Sequence, residues 1–273
     1  MPDPHVPLSP EGVPGAVTNT EAIEAEDIVF AGAQGTQIGG YLARPAATDK
    51  HPGMLVIQDA GGLSDHIRDI TRRIANLGYV ALAADLYTRE DGPPPAGDLP
   101  RIMERLFAMS DATVLGDLEG AIDLLRSRQD VTEKVGCIGF CMGGRCTLLL
   151  AGSSDKLDAA IDCWGGFIDR ATPEEHSTRK RPMPPLELAK KVDCPLMAAI
   201  GAEDQNPSPE IGERLREELA STPHETRVDV YEGAGHAFFA DYRPSYRPEA
   251  AAKLWGRVVP FLATHLQGRR NPA

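Results

Sequence analysis

The stretch 139–144, Gly-Phe-Cys-Met-Gly-Gly, sets one cysteine among small residues, between an apolar run and a helical pattern. This arrangement is typical of a nucleophile elbow, in which a strand ends, the chain turns sharply and a helix begins beneath the exposed side chain. Glycines are favoured there because a Cβ would collide with neighbouring backbone or oppose the strained turn. The stretch therefore predicts a strand that ends at Phe140 and makes Cys141 a candidate nucleophile.

Strand and helix patterns alternate on both sides of this elbow. Short apolar runs predict strands at 26–30, 38–43, 54–57, 79–84, 135–140, 157–164, 195–201 and 226–231, the first two forming an antiparallel start. Helical patterns lie between them, at 64–77, 100–109, 112–127, 142–151, 208–220 and 248–266. The alternation predicts an α/β fold, with a doubly wound, mostly parallel sheet flanked by helices.

No shift in composition divides this pattern, so we expect one α/β domain over residues 26–268. Residues 1–25 contain five prolines and no periodicity, which indicates an extended arm. Residues 269–273 are expected to form a short tail. The polar, proline-containing loop 165–187 is expected to border or cover a pocket, because long loops in compact domains are commonly functional.

The overall charge favours a small-molecule partner. A formal net charge of −12 and a sequence pI near 5.1 argue against binding to nucleic acid or to anionic membrane surfaces. No apolar stretch approaches the roughly 18 residues of a membrane span, and the N-terminus lacks a secretory pattern. We therefore expect a cytoplasmic protein, while no pattern predicts its oligomeric state.

Five cysteines, at positions 137, 141, 146, 163 and 194, include no CxxC pair and no metal-finger spacing. Cys137, Cys163 and Cys194 lie in or beside apolar runs, so we interpret them as reduced core residues. Cys146 falls on the first turns of the elbow helix, where a structural role is expected. Cys141 is therefore the only cysteine that the pattern selects for chemistry.

A thiol needs a base, and His236 is the best placed of seven histidines. It lies in the glycine-rich loop 233–238 after a predicted strand, whereas His5, His51, His66, His176, His224 and His265 lie near the termini, before strands, at a helix start or in the polar loop. An acid that orients the imidazole is expected on the preceding loop, Gly-Ala-Glu-Asp at 201–204. We choose Asp204, with Glu203 as the neighbouring candidate and a turn or helix-capping role as the alternative for Asp204.

Two backbone N–H groups are candidates for an oxyanion hole. Met142 begins the elbow helix, and Ala60 follows the strand predicted at 54–57. Both positions lie at the carboxyl ends of strands, where open α/β sheets carry their working residues.

From about residue 25 to 268, the chain resembles the dienelactone hydrolase (carboxymethylenebutenolidase) family of the α/β-hydrolase superfamily. The resemblance rests on the segments 139–144, 201–204, 233–238 (Gly-Ala-Gly-His-Ala-Phe) and 78–87 (Gly-Tyr-Val-Ala-Leu-Ala-Ala-Asp-Leu-Tyr). It implies a Cys141–His236–Asp204 triad that hydrolyses an ester or lactone, such as a dienelactone, through a thiol acyl-enzyme. We expect no cofactor and no bound metal.

The resemblance also implies roles for residues around the triad. Asp59 occupies the position of a family glutamate that holds the resting thiol and helps to generate the thiolate. Ala240 occupies the position of a family arginine that binds the substrate carboxylate. A second family arginine is kept as Arg89, so the resemblance implies that Arg89 binds substrate. For three other arginines, namely Arg101, Arg105 and Arg243, we expect solvation at the surface, with a contribution to binding the substrate carboxylate as the alternative.

Two further functions are weighed against a hydrolase. A noncatalytic protein that keeps the pocket for a small ligand is disfavoured because all three triad residue types occur at suitable places. Alkylation of Cys141 that is faster than alkylation of the other four cysteines would favour the enzyme over the binding protein. A metal-dependent enzyme that uses Asp59, Asp204 and His236 is disfavoured because these residues lie on separate loops beside the elbow cysteine.

Overall fold

A computed structural model describes residues 7–90, 92–170 and 179–268. Its strands are β1 Ile23–Ala31, β2 Gln37–Pro45, β3 His51–Ile57, β4 Val80–Ala84, β5 Val131–Phe140, β6 Ala159–Cys163, β7 Leu196–Gly201 and β8 Thr226–Tyr231. In the described part of the chain they form one eight-stranded sheet in the order β1-β2-β4-β3-β5-β6-β7-β8. Strand β2 is antiparallel to both of its neighbours, and every other pair is parallel.

The helices cover both faces of this sheet. They are α1 Asp65–Asn76, α2 Leu99–Ala108, α3 Asp111–Ser127, α4 Met142–Ala151, α5 Pro185–Leu188, α6 Pro209–Leu219 and α7 Pro248–Leu266. The central strand β3 is apolar throughout its second half, and alternate side chains enter opposite layers. Met54 and Val56 pack with α1 and α7, whereas Leu55 and Ile57 pack with the layer that contains α3, α4 and α6. The predicted fold class is confirmed.

The bounds of several elements follow the sequence pattern closely. Helices α4 and α7 and strand β8 have the predicted limits. Strand β5 instead begins at Val131, earlier than predicted, because it pairs with β3 at His51 through an exposed, polar stretch that carries no apolar signal. The predicted loop at 165–187 contains the start of α5.

The predicted arm at 1–25 is shorter in the structure, since β1 begins at Ile23. Its described part packs against the body: Val17 is fully buried, and the Ser9 hydroxyl donates a hydrogen bond of 2.6 Å to Asp69. Residues 1–6 of the arm, residues 171–178 of the polar loop, with His176, and the predicted tail 269–273 lie outside the described residues.

Candidate active site

Cys141 occupies a sharp turn between β5 and α4. Its φ and ψ are 54° and −110°, a combination that L-residues rarely adopt and that persists only where the surroundings hold it. The Cys141 N–H donates to the carbonyl oxygen of Cys163 on β6 at 2.9 Å, and the Cys141 carbonyl accepts from the Arg145 N–H at 3.1 Å. The elbow predicted at 139–144 is therefore present, with the cysteine at its apex.

Two glycines of the elbow allow backbones to approach closely. A Cβ on Gly139 would collide with the carbonyl oxygen of Gly143, and a Cβ on Gly143 would collide with the carbonyl oxygen of Ile57 at the end of β3. These contacts press α4 against the carboxyl end of the central strand. The spacing of small residues in the sequence is thus a steric requirement of the turn.

His236 and Asp204 form a hydrogen-bonded pair beside this turn. His236 Nδ1 lies 2.9 Å from Asp204 Oδ2, and Asp204 is buried. The other carboxylate oxygen accepts the Asn206 N–H at 2.9 Å. Because an ionised carboxylate can only accept, the imidazole proton belongs on Nδ1, which leaves Nε2 for the thiol.

Backbone hydrogen bonds hold the loops of these two residues together. The Glu203 N–H donates to the carbonyl of Ala234 at 2.9 Å, and the Ala202 N–H donates to the carbonyl of Tyr231 at the same distance. This arrangement leaves Glu203 exposed and Asp204 buried against the imidazole. Asp204, and not the neighbouring Glu203, is the acid that contacts His236.

The electrostatic environment favours a charged His236. Burial opposes the imidazolium, but negative charge at Cys141 and hydrogen bonds with Asp204 and Cys141 outweigh it and raise the pKa of His236 to about 10. An imidazolium next to a cysteine is the partner that stabilises a thiolate. The His236 imidazole is hydrogen-bonded to the Cys141 side chain as well as to Asp204.

The two candidate oxyanion positions, Ala60 and Met142, line the same cavity as Cys141. Met142 is the first residue of α4, where backbone N–H groups have no partner within the helix. The buried Tyr87 hydroxyl donates to the Ala60 carbonyl at 3.1 Å and lies 3.8 Å from Met142 Sδ. Tyr87 thus links the two segments that would supply the oxyanion donors.

This cavity has a volume of about 720 Å³, within the usual range of small-molecule sites. Its lining includes the polar side chains of Cys141, His236, Asp204, Asp59 and Arg243, together with apolar residues of α2 and Phe167. The structure thus brings together the predicted triad residues, both oxyanion positions and Asp59.

Asp59 lies in the cavity wall, with both carboxylate oxygens engaged. Oδ1 accepts the Gly61 N–H at 2.7 Å, and Oδ2 accepts from Arg243 Nη2 at 3.3 Å. Arg243 was expected to be a solvated surface residue; its side chain is instead partly covered and faces the cavity. Its partner Asp59 lies 184 positions earlier in the chain, so no local sequence pattern could have indicated this pair.

Arg89 is not among the residues that line this cavity. Its guanidinium donates to both oxygens of Asp117, to the Thr36 hydroxyl and to the Ala33 carbonyl, at 2.7–3.0 Å. Asp117 is itself buried, so this guanidinium compensates an internal charge. Arg89 holds α3 to the turn between β1 and β2.

The other cysteines are unpaired and buried, as predicted for Cys137, Cys146, Cys163 and Cys194. Among the described residues, no group of three or more His, Cys, Asp or Glu side chains is placed to hold a metal ion. No helix within the described ranges has the length and apolarity needed to cross a membrane.

An eight-stranded sheet that presents a nucleophile elbow, a loop histidine and a buried acid at one edge defines an α/β-hydrolase. Residues 38–266 match the model of the dienelactone hydrolase family. The chain belongs to this family and is an ester or lactone hydrolase.

Named relatives agree with this assignment. A protein of Escherichia coli strain K12, named "putative carboxymethylenebutenolidase", is 34% identical over 241 residues, which cover 86% of this chain and 87% of that protein. A Bradyrhizobium protein, named "probable 2-oxo-3-(5-oxofuran-2-ylidene)propanoate lactonase", is 29% identical over 92% of this chain and 99% of its own length. The crystal structure of a "putative dienelactone hydrolase" from Klebsiella pneumoniae subsp. pneumoniae MGH 78578 has a TM-score of 0.81 and 32% identity, and the match covers 89% of this chain and 99% of that one.

Proposed function

We propose that this protein hydrolyses an ester or lactone through a thiol acyl-enzyme formed on Cys141, with His236 as the base and Asp204 as the orienting acid. The observation that carries the proposal is the strained elbow at Cys141 in one cavity with a His236–Asp204 pair at 2.9 Å. The dienelactone-like activity named for the relatives supports the same reaction class.

In the acylation step, His236 holds the proton of Cys141 and the thiolate sulfur attacks the carbonyl carbon. Negative charge then develops on the carbonyl oxygen, towards the N–H groups of Ala60 and Met142. The C–O bond breaks as His236 returns the proton to the leaving oxygen, which stays attached to the acyl group when the substrate is a lactone. A thioester at Cys141 results.

In the second step, water attacks the thioester carbon while His236 accepts one of its protons. The C–S bond breaks and the carboxylic acid leaves. The proton that His236 took from water then restores the starting pair of Cys141 and His236. Asp204 holds the imidazole in the required tautomer during both steps. Asp59 lines the same cavity as the thiol, and in this scheme its carboxylate helps to set the resting position of the sulfur.

Replacing Cys141 by Ala tests the assignment. We expect turnover of p-nitrophenyl acetate to fall by at least about a thousandfold, because the nucleophile is lost while the fold is kept. Cys194→Ala is the matched control, since Cys194 is a buried thiol outside the cavity lining. The control is expected to keep its turnover, and turnover in the Cys141 variant that equals that of the control would overturn the proposal.

We also propose a cytoplasmic location and a small-molecule ester or lactone as the substrate, with no nucleic-acid or membrane partner. Five unpaired cysteines suit a reducing compartment, and a net charge of −12 opposes binding to phosphate backbones. Fractionation of producing cells tests the location, and recovery outside the cytoplasmic fraction would contradict it.

A further inference from the structure

Asn206 lies two residues after Asp204 and lines the same cavity as Cys141. Its backbone N–H donates to Asp204 Oδ1 at 2.9 Å, and its side-chain Oδ1 accepts the N–H of Phe167 at 2.8 Å. Phe167 belongs to the loop that follows β6, and it also lines the cavity. Asn206 therefore connects two of the segments that enclose the site.

The contact with Phe167 fixes the orientation of the Asn206 amide. A backbone N–H can only donate, so the amide oxygen faces Phe167 and the amide nitrogen faces away from it. Phe167 has a φ of 56°, a conformation that persists in an L-residue only where its neighbours hold it. A Cβ on Gly166 would lie 3.4 Å from Asn206 Oδ1, so this backbone also packs against the amide. The Asn206 side chain is thus held in one orientation before a substrate binds.

The amide nitrogen of Asn206 is available to a ligand. In the part of the chain that the structure describes, Nδ2 donates to no protein atom, and it is not closed off from solvent. The neighbouring amide nitrogen, Nε2 of Gln205, instead lies 3.5 Å from the carbonyl oxygen of Glu203 in its own loop. Small-molecule sites contain a few fixed polar groups of this kind, which orient the ligand.

We propose that Asn206 is a substrate-binding residue whose Nδ2 donates a hydrogen bond to an oxygen in the acyl part of the substrate, beyond the carbonyl group that Cys141 attacks. The proposal rests on the proposed function and assigns a specificity contact within the same site. A lactone keeps its leaving oxygen on the acyl group, so a further acceptor belongs to the acyl part. A ketone, ether or carboxylate oxygen fits this role, because each of them accepts an N–H.

Three p-nitrophenyl esters of matched shape test this contact. The hexanoate has no acceptor in its chain, whereas the 4-methoxybutanoate and the 3-ethoxypropanoate each carry an ether oxygen in place of one methylene group, at two different distances from the ester. The measured quantity is the ratio of kcat/KM for each ether ester to kcat/KM for the hexanoate, after spontaneous hydrolysis is subtracted. All three esters share the leaving group and the thiol chemistry, so the ratio cancels effects on the nucleophile and its base.

In Asn206→Asp, the side chain keeps an oxygen for the Phe167 N–H and loses its N–H donor. We expect the ratio for at least one ether ester to fall by at least about threefold, the effect of one ordinary hydrogen bond. Asn206→Ala removes the donor without adding a charge, and we expect the same ratio to fall in it. Gln205→Glu is the matched control, because it makes the same change of charge one residue earlier; we expect its ratios to stay within about twofold of the wild type.

The outcomes separate this inference from the proposed function. Ratios that stay at the wild-type value in both Asn206 variants, or that fall equally in Gln205→Glu, would overturn the inference. Lower rates for all three esters with unchanged ratios would limit Asn206 to holding Phe167, and would overturn it as well. In all of these cases the hydrolysis would still depend on Cys141, whereas wild-type rates that equal those of Cys141→Ala would remove the proposed function itself.

Discussion

The carboxylate of Asp204 lies 2.9 Å from Nδ1 of His236 while almost no solvent reaches it. Its negative charge is one of the causes that raise the pKa of His236 to about 10. In Asp204→Asn, the imidazolium loses this stabilisation, so the pKa of His236 must fall. We expect kcat/KM to drop by about 10²–10⁴-fold and the alkaline limb of its pH profile to move from near pH 10 to lower pH.

The pH profile of kcat/KM for a neutral ester measures this shift. Asp193→Asn is a suitable control, because Asp193 forms a pair of the same length, 2.9 Å, with His224 at the surface. Its alkaline limb is expected to stay in place. An alkaline limb that does not move in Asp204→Asn would show that Asp204 does not control the charge of His236.

Tyr87→Phe removes the hydroxyl that donates to the Ala60 carbonyl at 3.1 Å and keeps the ring. The segment that carries the Ala60 N–H then loses one restraint, so stabilisation of the oxyanion should weaken. We expect kcat to fall by about three- to tenfold, the effect of one ordinary hydrogen bond, with a smaller change in KM. Steady-state kinetics on a neutral ester check this, and an unchanged kcat would contradict a role for Tyr87 in holding Ala60.

Gly143→Ala tests the steric account of the elbow. The added Cβ would collide with the Ile57 carbonyl oxygen, and backbone at this position cannot yield cheaply. We expect Tm to fall by several degrees, as a loss of roughly 2 kcal/mol produces in a chain of this length. Gly256→Ala is the control, because its Cβ would meet no atom within 4 Å and helix α7 should gain up to about 1 kcal/mol. Equal Tm changes in the two variants would refute the collision.

The raised pKa of Asp162 predicts that its contribution to the free energy of unfolding depends on pH. It is buried on β6, and burial raises its pKa to about 7 despite the hydrogen bond from the Gly165 N–H. Between its unfolded pKa of 3.8 and about 7, the folded state binds more protons than the unfolded state, so stability falls as pH rises. The Asp162→Asn variant has no carboxyl group at this position, so its stability should not fall with pH for this reason.

The readout for Asp162 is the difference in Tm between the variant and the wild type, since titrations common to both cancel. From pH 4 to pH 8, we expect the Tm of the Asn variant to rise relative to the wild type by at least about 3 °C. A change of roughly 1 kcal/mol in the free energy of unfolding produces such a shift in a chain of this length. A difference that is constant over this range would show that Asp162 titrates normally.

Features that depend on neighbouring positions in the chain could be predicted from the sequence. The elbow at Cys141 was one of them, because a Cβ on Gly139 would collide with the backbone of Gly143, only four positions further along the chain. The loops of Asp204 and His236 were predictable because parallel strands bring their carboxyl ends to one edge. These constraints are local or follow from the topology.

Charge pairs between distant segments could not be predicted in this way. Arg89 pairs with Asp117 on α3, and Arg243 pairs with Asp59 across 184 positions. The sequence contains many arginines and acids, and nothing in their spacing tells which will meet. The place of Arg243 in the cavity lining therefore became apparent only from the folded chain, as did the contribution of α2.

Mass spectrometry of the enzyme, quenched during turnover of p-nitrophenyl hexanoate, identifies the residue that carries the acyl group. With an activated ester, acylation outpaces hydrolysis of the thioester and the acyl-enzyme accumulates. We expect one hexanoyl group, on the peptide that contains Cys141, and we expect hydroxylamine to release it as it releases a thioester. A hexanoyl group on another residue, or a burst of p-nitrophenol with Cys141 unmodified, would contradict it.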